Sequence, residues 1–279
     1  MKKLNLWASM VALFLCVGFS SCGDDDDNNA ENAGTNNVFP EGIKKVATIN
    51  DGYETTKFNY ANGKLVSVEE GTDSKYTFEY SGNTVTMKSV YKNSNSEDVE
   101  IYTMNIGSNG YISNGTGAYT EKYNNETYTS NSTMSFSYDK DGHLTAIKME
   151  GKDSDNDTYS SNYQFTWEDG NIIKTVENSQ SKEDGETYSS TDTRTCTYES
   201  NLNKIGFSFF DEVADLDELE YAYYAGLLGK STKNMLKSVK DVSSDGGSSS
   251  YTSNYSYEYD GDYPTTFISN GSRHTYTYK

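Results

Sequence analysis

Few residues in this chain have the types and spacing for chemistry. Asp153-Ser154-Asp155-Asn156-Asp157 carries the alternating acids that open a calcium loop, where side-chain oxygens converge on one hard cation. An EF-hand loop then needs Gly at its sixth position and Glu at its twelfth, and here those are Thr158 and Gln164. The run reads as a solvated loop tip, and no metal is assigned. The two histidines, His143 and His274, stand far apart without a Cys or His neighbour, which argues against zinc. Cys196, in Thr195-Cys196-Thr197-Tyr198, reads as a small buried hydrophobe rather than a nucleophile. Carboxylates abound, but no motif marks a pair at glycosidase distance, and there is no phosphate-cradling loop or nucleophile elbow. The chain is therefore read as not an enzyme, with no cofactor and no catalytic residue. Aromatics are the one rich resource, with 25 Tyr. Exposed tyrosines stack on sugar rings and on partner proteins. Tyr119, Tyr123 and Tyr128, in the Tyr-, Asn- and Thr-rich span 115–133, are the candidates for a wet face; most other tyrosines read as core.

Composition sets the frame for these residues. The 279 residues hold 23 Lys plus Arg against 42 Asp plus Glu, a formal net charge of −19. That balance leaves nothing to neutralise phosphates, so nucleic acid is excluded as a partner. Leu, Ile, Val and Phe together make up under one fifth of the chain. Such a composition ordinarily signals disorder, but here tyrosine supplies the missing apolar area. A mean hydropathy of −0.80 leaves no material for the lipid-facing band of a membrane barrel.

The amino-terminal segment reads as an address. Met1-Lys2-Lys3 is a short basic start, and the apolar run from Leu6 to Phe19 is too short to span a bilayer comfortably. Phe19-Ser20-Ser21-Cys22 resembles the lipobox of bacterial lipoproteins, in which the Cys is acylated and the chain is cut before it. The resemblance makes residues 1–21 a signal peptide and Cys22 the lipid anchor, with the membrane as a partner through its acyl chains. Gly23-Asp24-Asp25-Asp26-Asp27 resembles the acidic export signal of Bacteroidetes surface lipoproteins, which implies an outer-membrane protein facing the cell exterior. Residues 22–37 have no large apolar side chain and read as a disordered acidic tether. With Cys16 removed and Cys22 acylated, Cys196 has no intrachain disulfide partner.

Residues 38–279 read as one domain built from a returning phrase. It consists of two apolar, mostly aromatic residues two apart, a polar turn, then aliphatics. Copies are Phe58-Asn59-Tyr60, Phe78-Glu79-Tyr80, Tyr102-Thr103-Met104, Phe136-Ser137-Tyr138 and Phe165-Thr166-Trp167. Cys196-Thr197-Tyr198, Tyr257-Glu258-Tyr259 and Tyr276-Thr277-Tyr278 are weaker ones. A spacing of two places both rings on one face of a strand, and Gly or Asn in the turn permits positive φ. Polar residues at alternate positions wet the other face. The expected fold is mainly β, an antiparallel meander of aromatic hairpins that could be a curled sheet, a barrel or a sandwich. Residues 151–156 and 181–186 are expected to be long hairpin loops.

One stretch departs from this pattern. Leu216, Leu219, Tyr223 and Leu227 recur at helical spacing, with acids near the start and Gly226 as a stop. These residues predict one helix near 211–226 within an insertion at 207–235, packed over an end or open face of the sheet, with strands resuming near Met235. A buried core element is favoured over a lid. Lys230, Lys233 and Lys237 follow as the one basic patch.

The phrase loosely resembles the YD repeat of Rhs-type proteins, with Tyr138-Asp139-Lys140-Asp141-Gly142-His143-Leu144 as its nearest copy. In layout the chain is more similar to a family of Bacteroidetes surface lipoproteins, the domain-of-unknown-function 4595 type. The tethered start, the aromatic hairpins and Tyr224-Ala225-Gly226-Leu227-Leu228-Gly229-Lys230-Ser231 carry that resemblance, and no activity comes with it. The expected function is non-catalytic binding of a glycan or surface protein. A structural or adhesive envelope protein is the alternative, and a glycoside hydrolase comes third.

Overall fold

The structure, a computed structural model, describes residues 44–279 apart from 125, 184, 205 and 245–248. The expected signal peptide, Cys22 and the tether 22–37 lie outside the described residues. Sixteen strands run in chain order: β1 Val46–Asn50, β2 Thr55–Ala61, β3 Lys64–Glu70, β4 Ser74–Ser81, β5 Thr84–Lys92, β6 Ser96–Ile106, β7 Ile112–Tyr123 and β8 Glu126–Tyr138. They continue as β9 Leu144–Asp153, β10 Thr158–Glu168, β11 Asn171–Glu183, β12 Glu186–Leu202, β13 Asn234–Ser243, β14 Ser249–Asp260, β15 Tyr263–Ser269 and β16 Ser272–Tyr278. Each strand pairs with its sequence neighbours, and β1 pairs with β16, so the meander is a closed barrel. Ile49 stands opposite Tyr276 across the seam. Lys45 and Lys279 exchange backbone hydrogen bonds of 3.2 and 2.8 Å there. Closure removes both edges, which an open sheet of this size would leave as templates for aggregation.

Alternation along each strand decides what the wall faces. On β4, Tyr76 and Phe78 point inward while Lys75, Thr77 and Glu79 point outward; on β8, Met134 and Phe136 oppose Thr133, Ser135 and Ser137. The buried side chains form one cluster inside the wall. The outer wall is polar, the inverse of a lipid-embedded barrel. No helix among the described residues is long and apolar enough to cross a membrane. The spans expected to be loops begin instead as strand, with β9 running to Asp153 and β11 to Glu183. Each strand there has a hydrogen-bonded neighbour on both sides, so Ser, Thr and Lys stay extended without apolar burial of their own.

The returning phrase falls at the ends of the even-numbered strands. Its first residue is buried, as at Phe58, Phe78, Tyr102, Phe136 and Phe165. Its second residue does something the spacing does not reveal. Tyr80 donates its hydroxyl to Leu65 O at 3.0 Å and Tyr138 to Ile112 O at 2.8 Å. Trp167 Nε1 donates to Leu144 O and Tyr198 to Ile172 O, both at 2.7 Å. Tyr278 donates to Pro264 O, whereas on β14 it is the first residue of the copy, Tyr257, that donates, to Leu236 O at 2.6 Å. β4, β8, β10, β12, β14 and β16 are thereby each tied to the beginning of the odd strand before it. A register shift precedes Tyr60, Tyr138, Trp167, Tyr198 and Tyr259, and such a bulge re-aims the residue that follows it. Asn62-Gly63 and Asp169-Gly170 take positive φ at both positions, the signature of a tight two-residue hairpin turn. Tyr138→Phe keeps the ring and removes one tie. It is expected to lower stability by about 1 kcal/mol, read as a shifted denaturant midpoint.

Sixteen strands enclose more space than wall side chains can fill, and the β12–β13 connection fills it. The single helix expected near 211–226 is two short ones, α1 Phe210–Ala214 and α2 Glu220–Tyr224, with a 3₁₀ turn at Asp217–Leu219 between them. Asp215 breaks the run: it adopts φ 55°, and its N–H bonds Asp211 O at 2.8 Å. The insertion was expected over an end or open face of the sheet; instead it packs inside the barrel and crosses its interior, because closure leaves no open face and a lumen to fill. Tyr224 meets Phe58 at 5.0 Å between ring centroids, Tyr221 meets Tyr76 at 4.6 Å, Phe210 meets Phe165 at 5.9 Å, and Phe207 meets Tyr276 at 5.0 Å. Its exit is sewn to the wall by Lys230 N–H to Gly142 O at 3.0 Å and Lys233 N–H to Gly170 O at 2.8 Å. It is a plug, and β13 resumes at Asn234.

Candidate binding site

Hairpins of an antiparallel barrel alternate between its two ends. The plug enters between an even and an odd strand. The opposite rim carries the hairpins that leave odd strands, and every exposed tyrosine among the described residues gathers there. Tyr53 stands in the β1–β2 hairpin. Tyr91 ends β5, Tyr123 ends β7, and Tyr159, Tyr188 and Tyr251 lie in the first turns of β10, β12 and β14. All but Tyr53 belong to the inward-facing series of their strands. Tyr159 lies across Gly151, where an added Cβ would come within 2.1 Å of its ring, and its hydroxyl is 3.1 Å from Ser130 Oγ. Of the tyrosines proposed for a wet face, Tyr119 and Tyr128 sit on the inward series of the β7–β8 hairpin, half-buried, with ring centroids 6.2 Å apart. The wet outer face expected for them is thus corrected to the mouth of the lumen. Tyr128 donates to Asp153 Oδ2 at 2.9 Å. The five rim tyrosines missed in the sequence share one signal, a place beside a polar hairpin turn.

Below the rim the interior changes from apolar to acidic. Arg194, 6% exposed, is the base of this region, with Asp241 Oδ2 and Asp215 Oδ2 at 3.1 Å and Glu177 Oε2 at 3.5 Å. It also donates to Ala214 O at 3.1 Å, which fixes the end of α1. Across the barrel, Tyr221 donates to Glu70 and Tyr102 to Glu100. Burial pushes the carboxyls of Glu70, Glu100, Glu177 and Asp211 above the usual range. Burial pushes Glu212 up to about 8, and Glu220 is raised well above 4.5 by burial and by the neighbouring acids Glu212 and Asp211. Both residues are half-buried, with protein around them.

These shifts set a pH dependence. A carboxyl with a raised folded-state pKa holds a proton that the unfolded chain releases, so its contribution is present below about 4.5 and is lost as pH rises toward about 8. Asp51 and Asp139 are shifted downward and oppose this only at lower pH. The melting temperature is expected to rise from pH 8 to pH 5, and Glu212→Gln to flatten that rise. A wild-type melting temperature that is level or falling over this range would contradict it.

The other candidates resolve into local structure. Asp153 Oδ1 accepts the N–H groups of Asp155 and Asp157, each at 2.9 Å, so the calcium-like run is a self-capped hairpin turn. Asp139, Asp141 and His143 bring three ligand-type atoms within 4.8 Å, a grouping that sequence spacing did not suggest. Asp139 already accepts from His143 Nδ1 and from two backbone N–H groups at 2.9 Å, and the imidazole stacks on Trp167 at 4.4 Å. His274 lies on β16, 5.6 Å from the Phe267 ring. Cys196 is buried, and its thiol is pushed up to about 12 by burial, as expected for an inert core residue.

The barrel has solved relatives. A crystal structure of a porin-like protein from Bacteroides vulgatus ATCC 8482 has a similar fold, with a TM-score of 0.55 and 17% identity over 85% of this chain and 99% of that one. A porin-like protein from Bacteroides uniformis ATCC 8492 is similar at a TM-score of 0.45 and 19% identity, over 85% of this chain and 95% of that one. No curated protein sequence matches this chain. A family model described as a domain of unknown function with porin-like fold covers residues 58–266, from the first aromatic of β2 to β15, and this chain belongs to that family, DUF4595.

Proposed function

We propose that this protein is a non-catalytic binding module, displayed at the outside of the outer membrane on a lipidated tether, that takes a glycan or a protein segment at its tyrosine-lined rim. The observation that carries this reading is the gathering of the exposed tyrosines at one end of the barrel, over Ser- and acid-lined walls. Flat aromatic faces beside hydroxyls and carboxylates suit sugar rings and peptide edges alike. The polar outer wall fits a barrel that stands in water, with Cys22 and not the strands holding it to lipid. The porin-like relatives supply the fold and no ligand.

A glycan array probed with the barrel tests the sugar version. Tyr188→Ala with Tyr251→Ala is expected to weaken any hit at least tenfold at an unchanged melting temperature. Absence of binding across a broad panel, together with altered surface adhesion in a deletion strain, would favour the adhesive alternative. Hydrolysis of the glycans on the array would return the glycosidase reading. The anchor is tested separately: Cys22→Ala is expected to abolish lipid labelling and to release the protein from membranes, and unchanged labelling would end that part.

A further inference from the structure

A cavity of about 260 Å³ lies inside the barrel between the plug and the β16–β1–β2–β3 wall, beneath the short β1–β2 hairpin. It lies beneath the hairpin that carries Tyr53, and none of the other exposed tyrosines lines it. Asp211, Glu212 and Glu220 enter it from the plug, and Asp51, Glu54 and Glu70 from the wall, while its lining contains no Lys or Arg. An acidic lining is not in itself a site. The second feature is a pair of phenols. Tyr224 is 2% exposed and Tyr276 7%, both line the cavity, and neither hydroxyl has a hydrogen-bond partner among the described residues. Glu212 and Glu220 line the same cavity. A buried hydroxyl normally finds a partner, and two left open toward one cavity mark a place for a ligand.

We propose that this cavity binds a small organic ammonium ion, held by Glu212 and Glu220, by the hydroxyls of Tyr224 and Tyr276, and by the aromatic faces around them. Six acids against one basic side chain in the lining, His274, disfavour anions. A hard divalent cation wants six to eight oxygens. Two of the wall acids are already committed: Glu70 accepts from Tyr221, and Asp51 Oδ1 accepts the N–H groups of Tyr53 and Glu54 at 2.8 Å. What remains open is the carboxyls of Glu54, Asp211, Glu212 and Glu220 and two phenol oxygens, set against aromatic rings rather than in a shell of oxygens alone. Phe207 lies 5.0 Å from Tyr276 and 6.3 Å from Tyr224 between centroids, so the inner wall is aromatic. Alkylammonium ions pair N–H donors with carboxylates and lay their polarised CH groups on aromatic faces. An arriving cation also ionises Glu212 and Glu220, which burial otherwise holds toward the neutral acid, so binding at neutral pH releases protons.

Isothermal titration of the purified full chain with 1,4-diaminobutane, choline, calcium chloride and glucose tests this. At least one of the two amines is expected to bind, with proton release measured in two buffers of different ionisation enthalpy. Glu212→Gln and Glu220→Gln are each expected to weaken it tenfold or more. Tyr276→Phe preserves the ring and is expected to weaken binding severalfold at an unchanged melting temperature, which keeps the test intact if a Gln variant fails to fold. No heat from either amine, binding indifferent to these substitutions, or a response to calcium or glucose alone would overturn the proposal. The rim variants Tyr188→Ala and Tyr251→Ala are expected to leave amine binding unchanged, so this site and the rim reading stand or fall separately.

Discussion

Arg194→Met is expected to destabilise the barrel by about 3–5 kcal/mol, the range for removing one partner from a buried charge cluster. The substitution roughly preserves the volume of the aliphatic stem and strips the guanidinium from between Glu177, Asp215 and Asp241. Asp215 is largely exposed and tolerates the loss, whereas Glu177 is mostly buried and Asp241 keeps one oxygen without a partner even in the wild type. The hydrogen bond to Ala214 O goes as well, so α1 loses its tie to β12. Denaturant unfolding at pH 7 measures the effect. The defect is expected to shrink as pH falls, because burial holds the Glu177 carboxyl above the usual range and it takes up a proton early, and to be largely relieved by adding Glu177→Gln and Asp241→Asn. A destabilisation below 1 kcal/mol, or one indifferent to pH, would mean that the network carries little.

Leu219→Asp is expected to cost at least about 3 kcal/mol and to lower the melting temperature by roughly 2–4 °C per kcal/mol. Leu219 is fully buried at the junction of the 3₁₀ turn and α2. The carboxylate would arrive without a base, in an interior already crowded with acids. The plug is expected to loosen before the wall, because backbone bonds close the barrel independently of it. Tryptophan fluorescence follows this, since Trp167 belongs to the wall and donates to Leu144 O on β9. A melting temperature equal to wild type would contradict the packing of the plug.

Much of this architecture was legible in the residues. The recurring aromatic phrase identified every even-numbered strand end from β2 to β16, because a period of two with a turn beside it admits one local structure. The buried state of Cys196 and the plug character of 207–235 followed from apolar spacing in the same way. Two short helices in place of one was not legible, since Asp215 has helix-compatible neighbours and only its left-handed backbone ends the run. Nor were the strands through 151–153 and 181–183, whose polar residues owe their extension to partners on both sides.

The local and the global divide along a physical line. Alternation and turn residues act between neighbours in the chain, so hairpins and a polar outer wall could be read without a fold. Closure of β1 on β16, the ties from Tyr80 to Leu65 and from Tyr138 to Ile112, and the meeting of Glu212 with Tyr276 join residues that only the wrapped sheet brings together. The gathering of tyrosines at one rim is of the second kind. Each stands beside its own hairpin turn, and it is the antiparallel order of sixteen strands that turns those hairpins toward the same end.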